Sequence, residues 1–514
     1  MMSCTENSVI LQFIFLLWNA VRAFWHESAV GGWFHRRRLD LQRGIQTSAV
    51  CQFAIREGAL VRGWPNSFIC RFGTAFLNIP CAFAKWIYKK ARGPLSGSLV
   101  FRGVATLGHG TWLLMGLFAL VMLATPHAQW DNTYAPLAVA GIGALFLVGT
   151  ANRQKLRLEL DSLGPYMTIY MIFVCIGFVA SLSVRLSMKF FLFHITSFFI
   201  VLLLVSAVQN YRQLHTTVSL AAAGITVASI YGCIQGIQGV AVQVAQQDQI
   251  LNKDMPGRIY SFFDNPNNFA EILVMLIPLL MALFLNCKGW RGKLLSAAAL
   301  VPCLISIGLT YSRSSWIGLA LAVFIFLAFQ NWRFIPGCLI CGVLMLPFLP
   351  QSIINRILTI GNMEDTSTLY RFAIYEDVFR LLGDHGTTGV GLGHTVMGEV
   401  FKNYPTLHDG NYPVHAHSNY FQMWCELGIG GLIAYLALLL GQFKAGIKAF
   451  ATTTSKEMKN MVTAAMAGLC GMLVISLAEY TWFYPRNMFL FWFLFAIIAS
   501  CVKLGKKAQQ AASF

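Results

Sequence analysis

Charge is scarce in this sequence. Of its 514 residues only 11% are Asp, Glu, Lys or Arg, against 56% hydrophobic, and the mean hydropathy is +0.60. So little charge cannot cover one soluble core of this size, and a bilayer is the natural solvent for such a chain. Acid is scarcer still: 21 Asp and Glu stand against 38 Lys and Arg, and none occurs between Glu271 and Glu364. Any arginine in that stretch lacks a local carboxylate to neutralise it. Metal-ligand spacing is also missing. The 13 cysteines fall mostly inside or beside apolar runs. The one C-x-x-C pair, Cys338 and Cys341, lies in an apolar run between Pro336 and Pro347, where cysteines read as small buried hydrophobes rather than a redox pair. No cleavable signal peptide is read, because residues 8–25 contain Asn19 and Arg22 with no small-residue cleavage pattern after them. The first hydrophobic spans are expected to serve as uncleaved insertion signals.

What is present is a series of apolar runs, each long enough to cross a hydrocarbon core of about 30 Å. Twelve are expected, at roughly 110–125, 134–150, 164–184, 190–208, 215–243, 269–286, 294–310, 314–330, 334–350, 419–443, 461–479 and 487–503. The fold expected is therefore an all-α polytopic membrane protein of about twelve transmembrane helices with one large extracytoplasmic loop. If the chain enters the first span from the cytoplasm, the connections on that side hold fifteen positive residues: Arg153, Lys155, Arg157, Arg212, Lys288, Arg291, Lys293, Arg333, Lys444, Lys448, Lys456, Lys459, Lys503, Lys506 and Lys507. The short outer connections hold six: Arg185, Lys189, Lys253, Arg258, Arg313 and Arg486. That asymmetry puts both chain ends in the cytoplasm and accounts for the net charge of +17, with no need of a nucleic-acid partner.

Two regions depart from this pattern. Residues 1–100 carry twelve Lys and Arg against four acids, with Arg36, Arg37, Arg38 and Arg43 set among aromatic-rich stretches, and are expected to form a cytoplasmic, interfacial region ahead of a transmembrane domain at 101–514. Residues 351–418 are a long polar insertion of opposite charge, four Lys and Arg against seven acids. A loop of that length is expected to be functional or locally folded. Within it residues 366–382 read as an amphipathic helix with Leu369, Phe372, Phe379 and Leu382 on its apolar side, ended by a turn over 386–393.

Four outer-side positions stand out: Arg258, Arg313, Arg371 and His417. Arg313, in Ser312-Arg313-Ser314-Ser315 between two spans, either snorkels to the interface or binds an anion beside the serine hydroxyls. Arg258 precedes a span that Asn265 and Asn267 can cap. It either pairs with Asp264 or joins the positive helix end in gripping phosphate oxygens. Arg371 has no acid at three- or four-residue spacing on the loop helix, which leaves a solvated arginine or a contact with an anion. His415-Ala416-His417-Ser418-Asn419 closes the loop where a span begins, and an imidazole there is either a polar helix-entry residue or a base for a hydroxyl proton. His385, His394, His408, His415 and His417 show no H-x-x-x-H or H-E-x-x-H spacing, so no metal and no cofactor are expected.

With these residues in view the sequence resembles the O-antigen ligase and O-antigen polymerase family. The likeness rests on Gly257-Arg258 through Phe269 before a span, Ser312-Arg313-Ser314 between spans and Tyr370-Arg371-Phe372 in the loop. It extends to Gly389-Val390-Gly391-Leu392-Gly393 and to His415-Ala416-His417-Ser418-Asn419-Tyr420 followed by Glu426-Leu427-Gly428. The resemblance implies a multi-pass protein of the bacterial inner membrane. It also implies a metal-independent, inverting glycosyltransferase that moves a glycan from undecaprenyl diphosphate to an acceptor glycan or glycolipid on the extracytoplasmic side. In that family pattern Arg258, Arg313 and Arg371 match the arginines that hold the diphosphate, and His417 matches the base, with His415, Asn419 and Asn265 as supporting residues. The family commonly carries His-x-His-Asn, and Ser418 intervenes here, so His415 and His417 both stand as candidate bases. A polymerase of the same family and a transporter are the alternatives.

Overall fold

The computed structural model describes residues 48–512 apart from 154, 243–254, 332, 362–365 and 405–412, together with scattered positions from 16 to 28. The arginine cluster at 36–43, Lys253 and His408 lie outside the described residues. Met1–Glu57 form one unit and Gly58–Phe514 a second, which contains every helix considered below.

Helices of eight residues or more in this unit are α1 Phe68–Leu77, α2 Ile79–Lys90, α3 Leu99–His109, α4 Thr111–Ala124, α5 Tyr134–Ala151, α6 Pro165–Val179, α7 Val184–Ala207, α8 Tyr211–Gln238 and α9 Pro266–Asn286. They continue with α10 Trp290–Leu309, α11 Arg313–Asn331, α12 Phe334–Met345, α13 Gln351–Leu358, α14 Thr366–His385, α15 His394–Phe401, α16 Asn419–Thr452, α17 Lys456–Ile475 and α18 Pro485–Ala512. No strand occurs among the described residues.

Each expected span coincides with a helix, and the protein is a polytopic α-helical membrane protein. By length and composition nine helices among the described residues can cross a membrane, α5, α7 to α11 and α16 to α18, or ten if the pair α3 and α4, bent by 68° at Gly110, is one span. Two expected spans are shorter than the sequence suggests. α6 has 15 residues, and the 334–350 run breaks up after the 12 residues of α12 at Leu346-Pro347, where proline cannot continue the helical hydrogen-bond ladder. The span expected at 461–479 also ends early, at Ile475, so Glu479 falls in a turn.

Burial separates the centre of the bundle from its rim. The apolar window of α18 is 94% buried and that of α9 83%, whereas α10 is only 17% buried and presents its side chains outward, where lipid would lie. α9 packs closely on α17, α7 on α18, and α4 on α8. Fully buried Trp482, Trp492, Tyr170 and Tyr435 fill the space beneath the site described next.

The two ends of the bundle differ in chemistry. At one end the residues expected on the cytoplasmic side meet each other: Lys503 lies 3.0 Å from Glu159, Lys507 donates to Gln209, and Asn286 reaches Tyr211 and Glu457. The other end carries the arginines and histidines.

Segment 351–418 is locally folded. Ile374, Val378, Leu381, Val390, Met397, Phe401, Ala416 and Cys425 form a small core of their own on the start of α16. The buried face of α14 is therefore Ile374, Val378, Leu381 and Leu382, and the expected face is corrected: Leu369, Phe372 and Phe379 are about half exposed. The pattern misleads because apolar side chains at a membrane boundary face outward as readily as inward.

Candidate functional site

Three turns converge at the end of the bundle opposite Lys503 and Glu159, and each contains a non-glycine residue with positive φ: Ser261, Tyr311 and His417 at 54°, 51° and 45°. No other described non-glycine residue has one. Such conformations are strained and persist only where surrounding contacts enforce them. Each sits within three residues of Arg258 or Arg313, or is itself His417.

The first turn leads into α9. Asn265 caps that helix by accepting from the Asn267 N–H at 2.8 Å, with Pro266 in the first helical position, as the spacing predicts. Arg258 is buried, and it donates to Thr310 O at 2.7 Å and to Asn267 Oδ1, while Asp264 faces His127. Burial first, then the like charge of Arg356, draws its guanidinium down to about 9. Glu479 acts in the opposite sense, and Arg313 adds further repulsion. Arg258 is thus tied to the second turn and lies within charge reach of Arg356, Glu479 and Arg313.

The second turn joins α10 to α11. Arg313 opens α11 and donates to Thr359 O at 2.9 Å, and Arg356 donates from α13 to Tyr311 O at 3.3 Å. The Tyr311 hydroxyl meets Ser352 at 2.9 Å, and Trp316 donates back to Ile307 O at 2.9 Å. These bonds dock α13 on the turn and bring Arg356 to the site. The sequence reading missed Arg356, an arginine on a short amphipathic helix with no motif around it.

The third group is built on the 415–419 turn. The Ala416 N–H is accepted by Gln422 Oε1 at 2.9 Å, and Asn419, fully buried, donates its N–H to Ser476 O at 3.0 Å. The Tyr375 hydroxyl points to His417 O, 3.3 Å away. The two histidines are not equivalent. His415 Nδ1 accepts the His417 backbone N–H at 3.2 Å, and its ring lies against Tyr480 and Phe483. Burial, reinforced by His417, holds it down at about 3, so it is neutral with its proton on Nε2. His417 is partly exposed, and its Nδ1 lies 3.6 Å from Glu479 Oε2.

Glu479 is a second residue the sequence reading did not find. Its side chain is 13% exposed, and one oxygen pairs with Arg371 Nη2 while the other faces His417. Burial opposes its ionisation. Arg371, with help from His417 and His415, outweighs burial and brings the carboxyl down to about 2. Arg371 Nε is buried and has no hydrogen-bond partner among the described residues. Glu479 was hidden because it stands at the end of an apolar run and reads as the tail of a span. An acid in that position is itself a signal, since ionisable residues at membrane depth are costly and usually functional.

The 386–393 turn holds this group against α16. The N–H groups of Val390 and Gly391 donate to Cys425 O and Glu426 O, and Ile429 donates to Gly386 O, across a break in α16 at Gly428. At Gly391, φ is 111° and an added Cβ would lie 2.0 Å from Ser181 Oγ, so only glycine fits.

Residues 272–436 match the family model described as O-antigen ligase. The chain carries an O-antigen ligase family domain. It runs from the first turns of α9 past the break in α16, so Arg313, Arg371 and His417 fall inside the matched segment, and Arg258 and Glu479 flank it. No curated protein matches the chain significantly. Proteins of that family are membrane enzymes of the glycan ligase or polymerase type, which act on a lipid-linked glycan and an acceptor.

Proposed function

We propose that this O-antigen ligase family protein transfers a glycan from undecaprenyl diphosphate to an acceptor sugar hydroxyl on the extracytoplasmic side, with inversion and without a metal ion. The observation that carries the reading is the gathering of Arg258, Arg313, Arg356 and Arg371 around one end of the bundle, with His417 beside them. A lipid diphosphate is a good leaving group once its charge is offset, and guanidinium forks suit its oxygens better than point charges do. Arg258, Arg313 and Arg371 hold the diphosphate, and Arg356 adds a fourth positive group. His417 takes the acceptor proton, since His415 Nδ1 is already occupied as an acceptor. The acceptor oxygen bonds to the anomeric carbon, the bond from that carbon to the phosphate oxygen breaks with its electrons passing to the diphosphate, and the hydroxyl proton passes to His417.

A transporter would place its coordinating groups near the midplane on broken helices. The charged residues of this site stand instead at helix ends and in turns, which favours an enzyme. The test is glycan transfer by the purified protein from a polyprenyl diphosphate donor to defined acceptors, run with and without EDTA. Equal transfer in both supports the reading. Loss with EDTA that a divalent ion restores overturns the metal-independent mechanism, and ion flux without transfer overturns the enzyme.

A further inference from the structure

Glu479 touches both halves of the proposed machinery. Its carboxylate pairs with Arg371 of the diphosphate grip on one side and faces His417 Nδ1 on the other. It lies in the 476–480 turn between α17 and α18, outside the matched segment and close to a backbone that is already wired to the histidine turn. The Asn419 N–H and the Ser418 hydroxyl both donate to Ser476 O, at 3.0 and 3.3 Å. The Tyr375 hydroxyl spans the same gap, 3.3 Å from His417 O and 3.4 Å from Leu477 O. The carboxylate is therefore held in place relative to the imidazole from three elements, α14, α16 and the 476–480 turn.

We propose that Glu479 is the positioning residue for His417 and at the same time the link between that base and the diphosphate grip. The proposal rests on the reading of function given above. Held at Nδ1 by Glu479, His417 carries its proton there and leaves Nε2 to take the proton of the acceptor hydroxyl. The imidazolium formed as the new glycosidic bond closes is offset by the carboxylate. The separation of 3.6 Å is long for a hydrogen bond, and such contacts commonly tighten when substrate binds. On its other side Glu479 competes with the diphosphate for Arg371. An arriving diphosphate shares that guanidinium, which frees carboxylate charge for His417, so the base is at full strength when donor is bound.

The experiment compares Glu479→Gln, Glu479→Asp, His417→Ala and the double variant Glu479→Gln/His417→Ala, each as the full chain in detergent. Donor binding is measured with a polyprenyl diphosphate-linked glycan, and transfer is measured at saturating donor. Glu479→Gln keeps the shape and removes the charge. Its turnover is expected to fall on the order of 10²-fold while donor binds severalfold tighter, because a negative charge has left the anion site. A purely structural role would not move the two in opposite directions. Glu479→Asp is expected to recover part of the turnover, and Glu479→Gln to cost nothing further in the His417→Ala background. If wild type transfers glycan but Glu479→Gln turns over equally well, or its cost persists undiminished without His417, the proposal is overturned and the function stands. A wild-type protein that binds donor and never transfers it overturns both.

Discussion

Arg313 stands in the long acid-free stretch of the chain and donates to a backbone carbonyl, Thr359 O. In the proposed function its guanidinium also holds the diphosphate. Losing one charge-assisted contact in a site of low dielectric costs about 2 to 4 kcal/mol, or roughly 30- to 1,000-fold in rate. Arg313→Ala is expected to lose transfer by that margin, and Arg313→Lys to rescue little of it, because an ammonium cannot reproduce the fork. Measured donor affinity decides between this and simple snorkelling, in which lysine would serve as well. The histidines divide by the same logic. His417→Ala is expected to lower turnover by about 10²- to 10⁴-fold with donor binding nearly intact. His415→Ala loosens the turn and acts mainly on thermal stability, with a far smaller loss of turnover, and equal loss in both would remove the assignment of the base. The Arg371–Glu479 pair adds a pH window. A carboxyl lowered from 4.5 to about 2 contributes stability that is complete above 4.5 and is lost as pH falls through about 2. The groups that face it are Arg371, His417 and His415, with Arg258 and Glu271 also within charge reach. Changes of rate above pH 5 therefore do not report on Glu479 losing its charge.

The elements show where periodicity was a sound guide and where it was not. Spans such as α7 and α9 were legible because nothing except a membrane or a protein interior accommodates such runs. Helix α14 was legible as a helix, but its buried face was not, since Leu369, Phe372 and Phe379 are as apolar as the residues that face the loop core. The break in α16 was not legible either. Gly428 stands among Gly430 and Gly431 in a run that reads as a continuous helix, yet its φ of 68° and ψ of −179° belong to a region open essentially to glycine alone. An added Cβ would lie 2.2 Å from Thr387 O, in the very turn that satisfies the broken backbone. Gly428→Ala is accordingly expected to destabilise the protein by several kcal/mol, about 1 to 3 of it from backbone strain alone. Gly337→Ala on α12, where an added Cβ meets nothing within 4 Å, is the control and is expected to melt as wild type does. A thermal-shift series in detergent reads both, and equal melting temperatures would mean that the break is not required.

At the scale of the whole molecule, the charge count of the sequence and the contacts of the structure describe the same division. Lys503, Lys507 and Arg157 were assigned to one side by counting positive residues, and they cluster at one end through Glu159, Gln209 and Asp161. Arg258, Arg313 and Arg486 were assigned to the other side. Arg486 stacks on Trp130 and Phe263 there, beside the turn that carries Arg258. The contacts show which residues share an end, and the charge count alone assigns one end to the cytoplasm. The site was legible in part for the same reason: arginines on the less positive side of a membrane protein need a purpose, whereas one glutamate at the end of a span draws no notice until its neighbours are known. The division predicts both chain ends inside and the 351–418 segment outside. In a cysteine-depleted background, Asn403→Cys is expected to react in intact cells with a maleimide that cannot cross the membrane, and Lys506→Cys only after lysis. Asn403 is exposed in the turn after α15, and Lys506 is exposed in the last turns of α18, so access limits neither position. The reverse labelling pattern would place the arginine and histidine end in the cytoplasm, where a donor displayed on the outer leaflet could not reach it, and would overturn topology and function together.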